Sequence, residues 1–95
     1  MEFVTILGVP YSVRLVPVIS LDELTVGQID YLKQEILILE GLGDDLFQVT
    51  LLHEVLHGIF SQLGFDVENN EHLIQALATA LYQVLRENKL FSSCF

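Results

Sequence analysis

The chain has 95 residues, a length that predicts one domain, residues 1–95, without a separate regulatory module. Its 13 acidic residues and 4 Lys and Arg give a formal net charge of −9, the wrong sign for nucleic acid or an anionic membrane surface. Hydrophobic residues make up 52% of the sequence, but acidic residues interrupt the apolar runs, so no membrane helix is expected. A single cysteine, Cys94, cannot form an internal disulfide, and no secretory signal pattern is present, so we expect a cytoplasmic protein.

Short strands are predicted in the first half of the chain. Residues 2–7 and 11–19 are rich in β-branched and aromatic side chains and flank the turn sequence Gly-Val-Pro, which predicts a hairpin. Residues 28–31 and 35–39 are two further short candidates, the second with apolar residues at alternating positions. These segments predict a sheet of three to four strands.

Two helices are predicted in the second half. A glycine-containing turn leads into a helix over residues 46–63, with Asp44 or Asp45 as its N-cap. Asn70 is predicted to cap a second helix that reaches about residue 87. The order of elements predicts an α+β fold, in which a small antiparallel sheet packs on two antiparallel helices.

The first predicted helix contains the sequence His-Glu-Val-Leu-His at residues 53–57. Because His53 and His57 are four residues apart, both imidazoles lie on one helix face and can reach a single metal ion. A hydrolytic zinc site uses three protein ligands and leaves a fourth position for water. Glu54, next to the first histidine, can take a proton from that water and return it to a leaving amine. The motif therefore predicts hydrolytic zinc chemistry.

The rest of this helix is almost wholly apolar. Its polar residues form one wedge, roughly a quarter of the circumference: Thr50, His53, Glu54, His57 and Ser61. This arrangement is typical of a helix that lines a cleft while it packs on its other sides. The alternative is a solvated helix face that happens to hold two histidines, although such faces usually carry Lys and Glu pairs.

A third ligand has to come from outside this motif. The nearby downstream candidates are Asp66, Glu68, Glu71 and His72. On the second helix, Glu71 lies roughly 95° from the centre of the apolar stripe and His72 roughly 165° from it, so His72 points away from the packed face. This favours Glu71, whose carboxylate can cross between the helices. The alternative is that Glu71 only complements the helix dipole in the first turn.

The two helices resemble a known family. The segments LLHEVLHGIF and EHLIQALATALYQVLREN are similar to compact zinc metallopeptidases that combine an H-E-x-x-H helix with a glutamate on the next helix. The closest resemblance is to phage and prophage domains related to the ImmA/IrrE peptidases, described as minigluzincins. Their second helix has the pattern E-x-x-A-x-x-F-A, and here Ile74 replaces the first alanine and Leu77 the phenylalanine.

The resemblance implies a zincin-like fold and a set of site residues. His53, His57 and Glu71 would be zinc ligands, and Glu54 would be the catalytic base. The strand 35–39 could pair with an extended substrate, or it could be an ordinary core strand. The substrate would be a regulatory protein of a host or phage.

Two questions stay open at the level of sequence. The group that stabilises the oxyanion could be Tyr31, His72 or Tyr82. The protein is either a zinc-dependent metalloendopeptidase or a non-catalytic phage interaction module in which zinc only stabilises the fold. Glu54 favours the peptidase, because a structural site does not need that carboxylate. The apolar tail, residues 90–95, leaves room for a partner surface or a homodimer.

Overall fold

The computed structural model describes residues 3–20 and 25–90. Four strands precede two helices, with a short 3-10 turn, Glu68–Asn70, between the helices. The strands are β1 (Phe3–Ile6), β2 (Val9–Val16), β3 (Gly27–Asp30) and β4 (Glu35–Leu39), and the helices are α1 (Asp44–Gln62) and α2 (Glu71–Glu87). The predicted α+β class is confirmed. Cys94 and most of the apolar tail lie outside the described residues.

The strand order in the sheet is β1-β2-β4-β3. The β1/β2 and β3/β4 pairs are antiparallel, but β2 and β4 are parallel, with Val13 opposite Ile36. The sheet is therefore mixed, which corrects the prediction of a wholly antiparallel sheet. Strands β2 and β3 are not neighbours in the sheet, because β4, which follows β3 in the chain, lies between them. Ile36 and Ile38 of β4 have no exposed surface. The central position in the sheet is the one in which this apolar strand buries the most area.

Helix α1 packs against one face of the sheet, and α2 packs antiparallel on α1 and not on the strands, which corrects the prediction that the sheet packs on both helices. Arg86, near the end of α2, donates a 2.6 Å hydrogen bond to Asp45, near the start of α1, while Glu71 at the start of α2 lies beside His57 late in α1. Ile6, Tyr11, Ile36 and Ile38 form the core under α1, and Leu56, Ile74 and Ala78 form the core between the helices. Neither helix among the described residues is long and apolar enough to cross a membrane.

Helix α1 is terminated by a glycine in the left-handed conformation. Gly64 has a φ of 86°, a conformation that side chains disfavour, and its N–H donates to the carbonyl of Ser61. The N–H of Phe65 donates to the carbonyl of Phe60 at 2.9 Å, and the two phenyl rings are 5.7 Å apart. This arrangement turns the chain sharply and directs it back along α1.

The cap of α1 differs from the predicted one, whereas the cap of α2 is the predicted residue. The N-cap of α1 is Gly43, and Asp44 and Asp45 lie in the first turn, where their negative charge complements the helix dipole without a side-chain cap. Asn70 is the N-cap of α2 as predicted, but its side-chain amide donates to the carbonyl of Asp66. Asn70 therefore stabilises the connection that positions Glu71.

Candidate metal centre

Three side chains predicted as ligands meet where α1 and α2 face each other. The Nε2 atoms of His53 and His57 are 2.9 Å apart. One carboxylate oxygen of Glu71 lies 2.8 Å from His53 Nε2, and the other lies 3.0 Å from His57 Nε2. The one-turn spacing on α1 aligns the imidazoles, and the antiparallel helix packing supplies the carboxylate.

This group has the donor chemistry of a metal site. Its ligand atoms all lie within 4.8 Å of one another, and in the described part of the chain it is the one such group of three or more. The two imidazole nitrogens point at each other, so they cannot both carry a proton there. A cation could bind the lone pairs of both nitrogens and of the carboxylate. Burial lowers the pKa of His57, which favours the neutral, ligating form at pH 7. The three residues could therefore hold a metal ion, and two nitrogens with one carboxylate fit zinc.

Glu54 lies beside this group and is not part of it. Only 6% of its surface is exposed, and it faces β3. A Cβ atom on Gly27 would come within 2.6 Å of Thr50 Cγ2 and 3.1 Å of Glu54 Oε2, so only glycine allows the strand to approach α1 this closely. Burial and the negative charge of Glu71 raise the pKa of Glu54 to about 7.

The raised pKa of Glu54 predicts a pH-dependent stability for the metal-free protein. Burial favours the protonated form in the folded state, so ionisation opposes folding as the pH rises from about 4.5, the unfolded value, to about 7. The cost is roughly 3 kcal/mol above pH 8. We expect Glu54→Gln to raise the free energy of unfolding by roughly 2 to 3 kcal/mol more at pH 8 than at pH 5.

Urea unfolding of wild type and Glu54→Gln with a chelator present measures this difference. Comparing the two proteins at each pH cancels the opposite trend of His57, whose lowered pKa favours folding as the pH rises. An equal effect of the substitution at both pH values would show that Glu54 has an ordinary pKa.

Of the three candidates for oxyanion stabilisation, Tyr31 lines the metal centre. Its hydroxyl lies 3.4 Å from the carbonyl oxygen of His57, to which it donates. Burial and the charge of Glu54 raise the pKa of Tyr31, so the hydroxyl stays a proton donor. Tyr82 instead donates to Asp45 at the opposite end of the helix pair, and His72 is exposed on α2.

The two acidic residues on the connection have different positions. Asp66 accepts hydrogen bonds from the backbone N–H and the side chain of Asn69, and so stabilises the connection between α1 and α2. Glu68 lines the cavity that contains the metal centre but does not belong to the three-residue group. Glu71 is therefore the carboxylate that the fold brings to both histidines, as the helix geometry predicted.

The strand beside the site is β3, which corrects the suggestion that Glu35–Leu39 pairs with substrate. That segment, β4, lies between β2 and β3, so both of its edges are occupied. Strand β3 is an edge strand and lines the cavity next to the two histidines. Sequence reasoning did not assign β3 to the site, although a glycine at position 27 inside a strand is a known signal of close backbone approach.

Two adjoining cavities flank Glu54. The first, about 270 Å³, extends along the start of α1, and the second, about 480 Å³, contains the metal centre and Tyr31. They share Gly27, His53 and Glu54, so the cavities form one cleft with Glu54 at its middle. A reacting group in this cleft would have binding space on both sides.

The comparisons with known proteins add no family assignment. No protein-family model matches the chain, and neither a curated protein nor a solved structure is significantly similar to it. What the chain does therefore has to be argued from the geometry of the site.

Proposed function

We propose that this protein is a zinc-dependent peptidase, a metalloendopeptidase. The observation that carries the proposal is the convergence of His53, His57 and Glu71 within 4.8 Å, next to the buried carboxylate of Glu54. A structural zinc site would use a closed set of four ligands. Three ligands with a neighbouring acid match the composition of hydrolytic sites.

Zinc, when bound by these residues, supplies a Lewis acid that polarises a carbonyl and makes water more acidic. Glu54 accepts the proton of the attacking water and donates it to the leaving amine. Burial is the larger cause of the raised pKa of Glu54, and the charge of Glu71 is the smaller one. A cation held by Glu71 would offset that smaller contribution and so favour the ionised form of the base. To donate to the developing oxyanion, the hydroxyl of Tyr31 would exchange its 3.4 Å hydrogen bond to the His57 carbonyl for one to the substrate.

We expect an extended peptide to pair with the outer edge of β3, which pairs with no other strand among the described residues. The N–H of Leu39 donates to the carbonyl of Val26, and hydrogen-bonding direction alternates along an antiparallel strand. The N–H and C=O groups of Gly27 and Ile29 therefore point away from β4. Main-chain pairing along this edge would hold a peptide bond near Glu54 without depending on the side chains of the bound peptide.

The substrate we propose is a protein, and the resemblance to ImmA/IrrE-related peptidases suggests one with a regulatory role. The test has two measurements on the purified protein. Elemental analysis should find one zinc per chain. Carboxymethylated, unfolded casein should be cleaved, and a chelator should prevent this cleavage. Absence of zinc after incubation with excess metal would exclude the proposed function.

A further inference from the structure

A separate groove lies along α1 on the side of β1, the strand at the opposite edge of the sheet from β3. Its volume is about 440 Å³, and it shares no lining residue with the two cavities that flank Glu54. Three elements supply its aliphatic walls: β1 contributes Val4, α1 contributes Leu51, Leu52 and Val55, and α2 contributes Leu85. We call this surface the apolar groove.

The lining of the apolar groove contains one charged residue, Arg86. Its guanidinium already donates a 2.6 Å hydrogen bond to Asp45. No acidic residue is among the described residues that line the groove, although the whole chain carries a formal net charge of −9. An uncharged, apolar segment could therefore bind there without removing a charge from water.

The chain leaves α2 at one end of the apolar groove. Leu85 belongs to the last turn of α2, which ends at Glu87. Asn88 then has an extended conformation, with a φ of −135° and a ψ of 145°, and its side-chain amide donates to the carbonyl of Val84 at 3.1 Å. Residues 90–95 follow with the sequence Leu-Phe-Ser-Ser-Cys-Phe, which has two phenylalanines and no charge. A segment of suitable chemistry therefore begins within a few residues of the groove.

The length of this segment is sufficient to cover the groove. Residues 91–95 lie outside the described residues, and five residues of extended chain span up to about 17 Å. The lining that α1 contributes, from Gln48 to Val55, extends over about 10 Å along the helix axis. Five residues that start near Leu85 can therefore reach along the whole groove.

We propose that residues 91–95 bind in the apolar groove of the same chain, with the rings of Phe91 and Phe95 against its aliphatic walls. Aromatic rings contribute large buried areas, which a domain of this size needs. The covalent link holds the segment at a high effective concentration beside the groove. A second copy of the chain would instead bring its own net charge of −9, and like charges repel. The proposal does not depend on the proposed peptidase function.

A bound segment would give α2 a second support. Among the described elements, α2 packs on α1 and on none of the strands, although it carries Glu71 of the metal centre. A segment that contacts Leu85, α1 and Val4 would link α2 to the edge of the sheet. Its removal should therefore make the fold less stable.

Thermal unfolding of the full chain and of a chain that lacks residues 91–95 tests the proposal. We expect the deletion to lower Tm by at least about 5 °C, because the two rings lose their burial. Leu85→Ser should lower Tm in the full chain and have a smaller effect in the shortened chain, because its contact partner is absent there. Leu73→Ser is the matched control, since Leu73 is a similarly exposed leucine of α2 outside the groove lining. It should change Tm equally in both chains.

Binding of the detached segment is the second measurement. A synthetic peptide with the sequence of residues 89–95, carrying Cys94→Ser to prevent oxidation, is titrated into the shortened chain while backbone amide shifts are followed by NMR. We expect shifts at the amides that line the groove, a response at least fivefold weaker in Leu85→Ser, and none with a peptide carrying Phe91→Ser and Phe95→Ser. If the shortened chain fails to fold, the full chain with the two phenylalanine substitutions takes its place.

Two kinds of result would overturn the proposal. An unchanged Tm after the deletion, or an equal effect of Leu85→Ser in both chains, would show that the segment does not bind in the groove. Light scattering should give the 10.7 kDa mass of a single chain. A doubled mass that returns to the single-chain value in Leu85→Ser would assign the groove to a second copy instead.

Discussion

Glu54→Gln should reduce peptide hydrolysis by about 10² to 10⁴-fold while the protein keeps its zinc. The substitution preserves the size of the side chain and removes the proton acceptor. The buried position against Gly27 favours a neutral amide there, so the fold should be retained. Initial rates of cleavage of unfolded casein, together with zinc content by elemental analysis, measure both effects on the same samples.

Glu68→Gln is the control for this substitution. Glu68 also lines the cavity that contains His53, His57 and Glu71, but it lies outside that three-residue group. Its neutralisation should change the rate by less than about fivefold, since it only alters the local field. Equal rates for Glu54→Gln and wild type would exclude the proposed mechanism and favour the interaction module with a structural zinc. An inactive, zinc-loaded Glu54→Gln protein would also serve to capture the natural substrate.

Zinc should stabilise the folded protein strongly, and Glu71→Ala should remove most of that effect. At a free zinc concentration of one hundred times the dissociation constant, binding adds about 2.7 kcal/mol to the free energy of unfolding. For a domain of this size that corresponds to a rise in Tm of roughly 10 to 20 °C. Loss of one ligand from three should weaken affinity at least 100-fold, so most of the rise disappears at the same zinc concentration.

Thermal unfolding in zinc buffers, compared with unfolding in chelator, measures this coupling. His72→Ala is the matched control, because His72 follows Glu71 directly and is exposed on α2. It should show the full stabilisation of the wild type. Full stabilisation in Glu71→Ala would remove Glu71 from the ligand set and direct attention to Glu68, another carboxylate on the cavity wall.

The sequence by itself was sufficient for the features that depend on local periodicity. The four-residue spacing of His53 and His57 places both on one face of any helix, and helix formation there followed from the apolar pattern around them. The angular position of Glu71 relative to the apolar stripe of α2 distinguished it from His72, because the stripe has to face α1. These predictions needed only the geometry of a helix, and the group of three side chains that could hold a metal ion agrees with them.

The tertiary structure alone decided which strand borders the site. The strands predicted at 28–31 and 35–39 are both short, and strand order depends on how the connection after β2 crosses the sheet, which no local pattern records. Burial of Ile36 and Ile38 places β4 at the centre and leaves β3 at the edge. That order brings Gly27 against Glu54, brings Tyr31 into the cavity that contains His53, His57 and Glu71, and opens a second cavity beside it, because each of these contacts joins residues distant in the chain.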